Sequence, residues 1–306
     1  MIGRVLKTAG STYTVLSADN MIYLCSIRGK FRLQSVRTTN PVTVGDLVDF
    51  DCEGNSNKGA INSVEERKNY IIRKSSNLSK ESHVIAANID QALLIVTVEF
   101  PETKIEFIDR YLVTAEAYQI PAIIVFNKID LYKDQLNEKF KYYLSIYSAI
   151  YPCLTISSQT GENMDKLKEI LKGKISLISG NSGVGKSTII NRLEPSLNLK
   201  TTNISHYHLK GKHTTTFSEM FPLSFGGFVI DTPGIKGFGL VDMDKREIFH
   251  FFPEIFKKSI ECQFYNCTHQ HEPGCAVKIA VENNEINPSR YYSYLSILLD
   301  DQGKYR

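Results

Sequence analysis

One stretch restricts what this chain can fold into more than any other: GNSGVGKST, residues 180–188. It follows the apolar run KISLIS and opens the helix-like segment STIINRL, which is the strand–loop–helix context of a phosphate-binding loop. Gly180, Gly183 and Gly185 let backbone N–H groups converge on phosphate oxygens, and the helix N-terminus adds partial positive charge. The alternative is a glycine-rich turn that matches the pattern by chance. The sequence therefore predicts a domain that binds a nucleotide.

The phosphate and Mg²⁺ contacts are predicted from this loop and from DTPG, residues 231–234, at the end of the apolar run FVI. Lys186 is expected to reach the outer phosphates, while Ser187 and Asp231 are expected to ligate Mg²⁺. The N–H of Gly234 would sense the γ-phosphate; taken alone, DTPG would be read as a surface turn. The predicted nucleotide-binding residues of the two stretches are Gly180, Asn181, Ser182, Gly183, Val184, Gly185, Lys186, Ser187, Thr188, Asp231 and Gly234.

The base is indicated by FNKID, residues 126–130, which ends the strand-like run PAIIVF. The Asp130 carboxylate can accept from the two N–H donors of guanine, Asn127 suits the acceptor edge, and the Lys128 stem can cover the ring face. Such a loop lies where a doubly wound sheet binds its ligands. SSQTG, residues 157–161, follows the next strand-like run and offers a hydroxyl or N–H to the base oxygen. The predicted base-binding residues are Asn127, Lys128, Ile129, Asp130, Ser157 and Ser158.

The order of these motifs is reversed from that of most GTP-binding domains. The base loops come before the phosphate loop, and DTPG comes last. This is the order of a GTPase cut after DTPG with its former ends joined, and the joint is visible at Gly173 between LKEILK and KISLIS. Permutation is tolerated where chain termini lie close together. As a consequence, DTPG runs directly through residues 235–240 into the C-terminal region, which suits a conformational switch.

Water activation is expected from GKHTTT, residues 211–216. Many GTPases place a glutamine just after DxxG, but this chain has Ile235, which cannot orient water. His213 is the candidate group that positions or deprotonates water, and Thr215 is the candidate switch residue that contacts Mg²⁺ during catalysis. A polar loop histidine without a catalytic role is the alternative. Slow intrinsic turnover that a partner accelerates is therefore the hypothesis.

Near the C-terminus a cluster has the spacing Cys-x4-Cys-x-His-x5-Cys, and it consists of Cys262, Cys267, His269 and Cys275. Three thiolates and one imidazole suit a closed tetrahedral Zn²⁺ site that leaves no open catalytic position. His271 is a rival for the histidine position. Redox chemistry is disfavoured because there is no CxxC pair. The cluster predicts one structural Zn²⁺ ion per chain.

The first 68 residues contain five short strand-like pieces without a helix between them. This pattern predicts a small OB-like β-barrel, with an SH3-like barrel as the alternative. Between Asn20 and Gly45 there is no acidic residue, and Arg28, Lys30 and Arg32 share one face of a strand. A basic barrel face suits an RNA backbone, whereas a merely solvated face is the other interpretation.

From about residue 90, strands alternate with amphipathic helices, which predicts a buried parallel sheet with helices on both faces. The predicted fold class is thus α/β, a circularly permuted P-loop GTPase domain flanked by the OB-like barrel and a small zinc-binding helical domain. The predicted boundaries are 1–68 for the RNA-binding barrel, 69–240 for the GTPase and 241–306 for the zinc domain. The polar stretch 75–84 is expected to be a linker or mobile loop.

Composition adds little beyond this division. The chain has 306 residues, of which 42% are apolar, and its net charge of +3 does not by itself indicate nucleic acid. Its six cysteines suit a cytosolic protein with one metal site better than a disulfide framework. Without a visible signal peptide or a long apolar run, a soluble cytoplasmic protein without membrane contact is expected.

NKID, GNSGVGKST, GKHTTT, DTPG followed by GFGL, and the Cys/His cluster together resemble the circularly permuted, ribosome-associated GTPases of the RsgA/YjeQ family, over nearly the whole chain. The resemblance implies GTP hydrolysis to GDP and phosphate, stimulated by the small ribosomal subunit during late maturation of that particle, and contact with its rRNA. It ties His213 to catalysis. It also gives the zinc-ligand role to Cys262, Cys267, His269 and Cys275, at the expense of His271. The chain departs from the family in ending on GKYR with little basic tail.

Two other classes of protein remain open from the residues alone. One is a GTP-dependent switch that acts on a protein partner through the barrel. The other is a P-loop ATPase or kinase, against which Asp130 argues. The interpretation that the motifs favour is a monomeric GTPase that uses GTP and GDP, Mg²⁺ and one Zn²⁺.

Overall fold

The computed structural model describes residues 1–28, 41–52, 54, 56–74, 82–133, 135–198, 218–231 and 244–299. The chain divides into two compact units. The first unit consists of Met1–Leu93, Asn163–Ser179 and Gly185–Ile235. The second unit consists of Leu94–Glu162, Gly180–Val184 and Lys236–Arg306. The two units interleave along the chain, so neither is one continuous segment.

The N-terminal part of the first unit is a five-stranded barrel. Its strands are β1 (Ile2–Ala9), β2 (Thr12–Ser17), β3 (Ile22–Ile27), β4 (Leu47–Cys52) and β5 (Lys58–Val64). They pair in the order β1-β2-β3-β5-β4, and β1 also pairs with β4. The barrel therefore closes, and its core contains the fully buried Val5, Val15, Val48 and Phe50. This confirms the predicted OB-like barrel, and buried positions alternate with more exposed ones along β2 and β4, as strands with one inward face require.

A hairpin follows the barrel, formed by β6 (Tyr70–Lys74) and β7 (Ser82–Ala87). The expected linker at 75–84 is therefore wrong for residues 82–84, which belong to β7, whereas 75–81 lie outside the described residues. The strand forms because Val84 and Ala86 are fully buried. The Thr43 hydroxyl also donates to the Val84 carbonyl over 3.0 Å.

The rest of the first unit carries α3 (Met164–Leu171), β11 (Ile175–Ser179), α4 (Lys186–Leu193), β12 (Glu219–Pro222) and β13 (Phe228–Asp231). β11 runs parallel to β13 and is wholly buried, as predicted. The sequence analysis missed β12, which runs antiparallel to β13, so the sheet is mixed rather than purely parallel. The short turn with left-handed Gly226 and Gly227 permits only this direction. On its other edge β12 pairs with barrel strand β1, where Lys7 lies opposite Glu219.

Strand β8 (Gln91–Val96) is divided between the two units, and the second unit also contains α1 (Ile105–Ala117), β9 (Ala122–Phe126), α2 (Gln135–Tyr147) and β10 (Cys153–Thr155). Its C-terminal part has a 3₁₀ helix (Lys245–Phe251), α5 (Pro253–Ser259), α6 (Ala276–Glu282) and α7 (Pro288–Leu298). β9 runs parallel to β10, as the apolar runs predicted. In the part of the chain that the structure describes, every helix is too short or too polar to cross a bilayer.

Helix α1 shares a core with the C-terminal helices. Val113 of α1 lies in one apolar cluster with Ile248, Phe252 and Tyr294. Within the second unit, α1 and the C-terminal helices are therefore packed around a shared core. The predicted division at 69–240 and 241–306 stays a prediction.

A fully buried ion pair joins α1 to α7. Arg290 Nη1 donates to Asp109 Oδ1 over 2.8 Å, and both side chains have no exposed surface. Arg290 Nε also donates to Glu254 Oε1 over 2.7 Å, and the guanidinium lies over the Phe252 ring at 4.7 Å. Burial alone would lower the pKa of Arg290, but the charges of Asp109 and Glu254 raise it, so the guanidinium stays charged. Helix α7 can therefore leave α1 only by breaking a buried charge network.

We expect Arg290→Met to lower the free energy of unfolding by about 3–5 kcal/mol, because it leaves the Asp109 carboxylate buried without its partner. The matched control is Lys258→Met, which removes ion pairs with the more exposed Glu261 and Glu285. Its loss should stay below about 1 kcal/mol. Urea unfolding followed by circular dichroism measures both. Equal losses in the two variants would show that the Arg290 network does not hold the helices together.

Candidate nucleotide site and metal centre

The phosphate loop has the backbone that its glycines predict. Gly180, Gly183 and Gly185 have φ of 146°, 84° and 99°. A Cβ atom on Gly180 would lie 2.4 Å from the Ile95 carbonyl oxygen, so a side chain there has no room. Gly185 precedes the first turn of α4, which begins at Lys186. The strand–loop–helix prediction is confirmed.

Asn127 ties the base loop to the phosphate loop. Its side chain is fully buried, and Nδ2 donates to the Val184 carbonyl over 2.8 Å and to the Ser158 hydroxyl over 3.1 Å. Its Oδ1 accepts from the Ser158 N–H over 3.0 Å. These bonds engage both amide hydrogens within the protein. Asn127 therefore holds the base loop against the phosphate loop, and its predicted contact with the base stays a prediction.

Lys128 lies next to the same loop. It has a left-handed backbone with φ of 65°, and its ammonium group donates to the carbonyls of Gly183, over 2.8 Å, and of Phe100. Burial lowers the pKa of Lys128, while the charge of Asp130 acts in the opposite direction. The Lys128 ammonium group is consequently held against the phosphate loop.

Asp130 is oriented by Ser157. Asp130 lies in a 3₁₀ turn, Ile129–Leu131, and its Oδ1 accepts a short 2.5 Å hydrogen bond from the Ser157 hydroxyl. The fully buried Ser157 in turn accepts from the Thr160 N–H over 3.0 Å. The Ser157 hydroxyl thus points to the carboxylate rather than to a base oxygen. The sequence analysis singled out Ser157 but not this role.

Of the predicted phosphate and Mg²⁺ groups, Lys186, Ser187, Thr188 and Asp231 lie in the first unit, whereas residues 180–184 of the phosphate loop belong to the second. Asp231 is the last residue of β13 and is buried, and Ser187 and Thr188 lie in the first turn of α4. Burial lowers the pKa of Lys186, whereas the nearby negative charge of Asp231 raises it. His213, Thr215 and Gly234 lie outside the described residues.

The metal cluster assembles from the four predicted residues. One donor atom each from Cys262, Cys267, His269 and Cys275 lies within 4.8 Å of every other. His269 has a left-handed backbone with φ of 59°, and its Nδ1 lies 3.6 Å from the sulfur of Cys262 and 3.5 Å from that of Cys275. His271 is not part of this cluster, which decides between the two histidines.

The donor set fits a divalent metal of the Zn²⁺ type. Burial raises the pKa of the Cys267 thiol to about 12 and also raises the pKa of Cys275. Such thiols ligate only as thiolates, and a bound cation supplies the charge that stabilises them. Three sulfurs and one nitrogen form the set that tetrahedral zinc prefers.

Glu272, which the sequence analysis missed, organises the metal loop. Its carboxylate accepts from the N–H and hydroxyl of Thr268, both over 2.7 Å, and from the N–H of Gln270 over 3.0 Å. Burial alone would raise the pKa of Glu272, but these hydrogen bonds lower it to about 2. Tyr291 further supports the loop by donating to the His269 carbonyl over 2.6 Å. The spacing of the cysteines and histidines in the sequence does not indicate these roles of Glu272 and Tyr291.

Known proteins match this chain over its full length. The models of the RsgA N-terminal domain and the RsgA GTPase match residues 2–61 and 64–241. A Bacteroides fragilis protein named small ribosomal subunit biogenesis GTPase RsgA is 55% identical, and the match covers 100% of this chain and 99% of that one. The structure of YjeQ from Thermotoga maritima is similar with a TM-score of 0.79 at 37% identity, covering 97% of this chain and 96% of that one. YloQ, described as a circularly permuted GTPase, is similar with a TM-score of 0.75 at 28% identity, covering 97% and 93%.

We expect Cys267→Ser to lose most of the bound metal and to lower the thermal midpoint, because three remaining ligands no longer close the coordination shell. Elemental analysis of the purified full chain gives the metal content. His271→Ala is the matched control and should retain a full equivalent. Loss of metal in the His271 variant, with retention in a His269→Ala variant, would reverse the ligand assignment.

Proposed function

The chain belongs to the RsgA GTPase family, and from that premise we propose that it hydrolyses GTP to GDP and phosphate, binds the small ribosomal subunit and assists its late maturation. The Bacteroides fragilis relative is named for biogenesis of that subunit. Ile235 stands where many GTPases carry a water-orienting glutamine, so intrinsic turnover should be slow. Stimulation by the bound subunit would then make hydrolysis depend on the particle.

The connection between base loop and phosphate loop is the observation that carries this proposal. Asn127 and Lys128 donate to consecutive phosphate-loop carbonyls, those of Val184 and Gly183. The base loop also carries Asp130, whose carboxylate offers acceptors to the N1–H and N2–H donors of guanine. Adenine presents an acceptor at N1 instead, so the carboxylate disfavours it. This supports GTP over ATP, and hence a GTPase over a kinase that reuses the phosphate loop.

The remaining nucleotide contacts are proposed from the motifs. Backbone N–H groups of residues 180–188 would hold the phosphates together with Lys186, and the N–H of Gly234 would sense the γ-phosphate. Mg²⁺ supplies neutralisation of the phosphate charge when bound. Its proposed ligands are Ser187, Thr215 and Asp231. His213 would position the attacking water or accept its proton.

The metal proposed for the cysteine–histidine cluster is one Zn²⁺ ion per chain. Its four ligands would leave no position for substrate, so its role would be structural. It would hold together the loop between α5 and α6, which contains all four proposed ligands. Nucleotide chemistry would not use this ion.

We further propose that the chain acts as a cytoplasmic monomer that contacts rRNA through its barrel. Arg28 already forms an ion pair with Asp51 at 3.2 Å and donates to Asn62. The phosphate contacts would therefore fall to Lys30 and Arg32, which lie outside the described residues.

A second candidate is a GTP-dependent switch that acts on a protein partner. One observation favours it: Ile22 and Leu24 are 51% and 52% exposed and lie on one face of β3. An apolar barrel face suits a protein partner better than a phosphate backbone. Stimulation of GTP hydrolysis by a protein in the absence of ribosomal subunits would favour this function.

The proposed partner, the small ribosomal subunit, gives a testable prediction. Small ribosomal subunits should raise the GTP hydrolysis rate at least about tenfold, because they supply the water positioning that Ile235 cannot. The measurement is phosphate release by the purified chain, alone and with subunits. Large subunits and ATP are the controls: large subunits should leave GTP hydrolysis at its slow intrinsic rate, and ATP should not be hydrolysed. Equal stimulation by large subunits would contradict a specific role in small-subunit maturation.

The proposed role of His213 gives another prediction. The variant His213→Ala should lose about 10²–10⁴-fold of subunit-stimulated turnover, the usual contribution of a general base. Its affinity for GDP should not change, since the base and phosphate contacts remain. Single-turnover hydrolysis and equilibrium binding separate the two quantities. A variant with normal stimulated turnover would remove His213 from the mechanism.

A further inference from the structure

A buried tyrosine links the two ends of the guanine-reading loop. The Tyr132 hydroxyl donates to the Asn127 carbonyl over 2.6 Å and accepts from the Val98 N–H over 3.1 Å. Tyr132 is 8% exposed, and Asn127 and Val98 are fully buried. We propose that Tyr132 is a positioning residue for guanine recognition that holds Lys128 and Asp130 in the geometry that discriminates between bases. This inference rests on the proposed GTPase function.

The first step of the argument is the peptide between Asn127 and Lys128. Lys128 is left-handed with φ of 65°, a conformation that disfavours residues with a side chain. Such a backbone persists only where the surroundings determine it. The Asn127 N–H is already bound to the Val96 carbonyl over 2.9 Å, so the orientation of the next peptide depends on what its carbonyl binds. The Tyr132 hydroxyl is that donor.

The second step is ring closure. Residues 127–132 make a single tight turn in which the Tyr132 N–H donates to the Ile129 carbonyl over 3.1 Å. The side chain of Tyr132 then reaches back to the residue that opens the turn. Lys128 and Asp130 lie inside this closed loop, and Val98 connects it to the segment after β8. A displacement of the loop would therefore have to break hydrogen bonds that are out of contact with water.

The third step concerns Tyr132 itself: its ring is packed in place, and its hydroxyl remains a hydrogen-bond donor. Its ring packs on Phe140 with centroids 5.3 Å apart, and Phe140 packs on Phe126 at 5.5 Å. Burial raises the pKa of Tyr132 to about 12, so the hydroxyl keeps its proton at neutral pH. A phenylalanine in its place would keep the ring contacts and lose both hydrogen bonds, which isolates the hydroxyl as the tested group.

We expect Tyr132→Phe to raise the Kd for GDP about tenfold, which corresponds to about 1.4 kcal/mol. The preference for GTP over ITP should also fall severalfold, because ITP lacks the N2 amine that Asp130 reads. In subunit-stimulated hydrolysis the effect should appear mainly in KM. Equilibrium titration with GDP, GTP and ITP on the full chain gives the affinities and their ratio.

Tyr143→Phe is the matched control. Tyr143 is a buried tyrosine of the neighbouring helix α2, and its hydroxyl donates to Glu102 Oε1 over 3.2 Å. Its loss should lower the thermal midpoint without changing the GTP-to-ITP ratio. A purely structural Tyr132 would behave in the same way, so an unchanged ratio in Tyr132→Phe overturns the positioning role. An equal change of the ratio in both variants overturns it as well.

Two further readouts separate the possible failures. If the unchanged protein binds ATP as tightly as GTP, both the proposed function and this inference fall. If it discriminates and Tyr132→Phe discriminates equally, only the inference falls. Should Tyr132→Phe not fold, hydrogen exchange on the unchanged protein decides: GDP should slow exchange at Val98 and across residues 127–132. Exchange there that GDP leaves unchanged would contradict the linkage.

Discussion

The hydrogen bonds of the buried Asn127 carboxamide are the interaction on which the arrangement of the proposed nucleotide-binding loops depends. It joins three loops that come from different parts of the chain: the base loop, the Ser158 loop and the phosphate loop at Val184. A buried amide left without partners costs free energy comparable to a lost hydrogen bond, so these loops are held in one arrangement. The loops proposed for base recognition and phosphate binding are therefore held together, although their motifs lie far apart in sequence.

The permuted order of the chain changes what is attached to these loops. Strand β13 ends at Asp231, and the next described elements in sequence are the C-terminal helices. Those helices are not a loose appendage, because Arg290 and Asp109 form a fully buried ion pair between α7 and α1. Removing a charge from such a pair is costly, so α1 and the metal-binding region should move together.

The periodicity of apolar residues predicted most of these strands and helices, but it missed one strand and misassigned the start of another. The strands β8, β9 and β11 and the helices α1, α3 and α4 were predicted because a buried strand or an amphipathic helix leaves its period in the sequence. Strand β12 was missed because four residues show no clear period. The end of the 75–84 stretch was misread because its polar residues hide a strand that is stabilised by neighbours distant in sequence.

The sequence by itself determined which chemical groups the protein has and their order: a phosphate loop, a guanine-type loop before it, and a cysteine–histidine cluster after it. Those motifs are local, since their spacing and their glycines act within one turn or loop. Only the tertiary structure decided which atoms meet. In the structure His269, and not His271, lies in the cysteine cluster, and the Ser157 hydroxyl donates to Asp130. The Asn127 amide donates to the Val184 carbonyl, and the Tyr132 hydroxyl donates to the Asn127 carbonyl. Such choices depend on directional hydrogen bonds between segments far apart in the chain, and no local pattern records them.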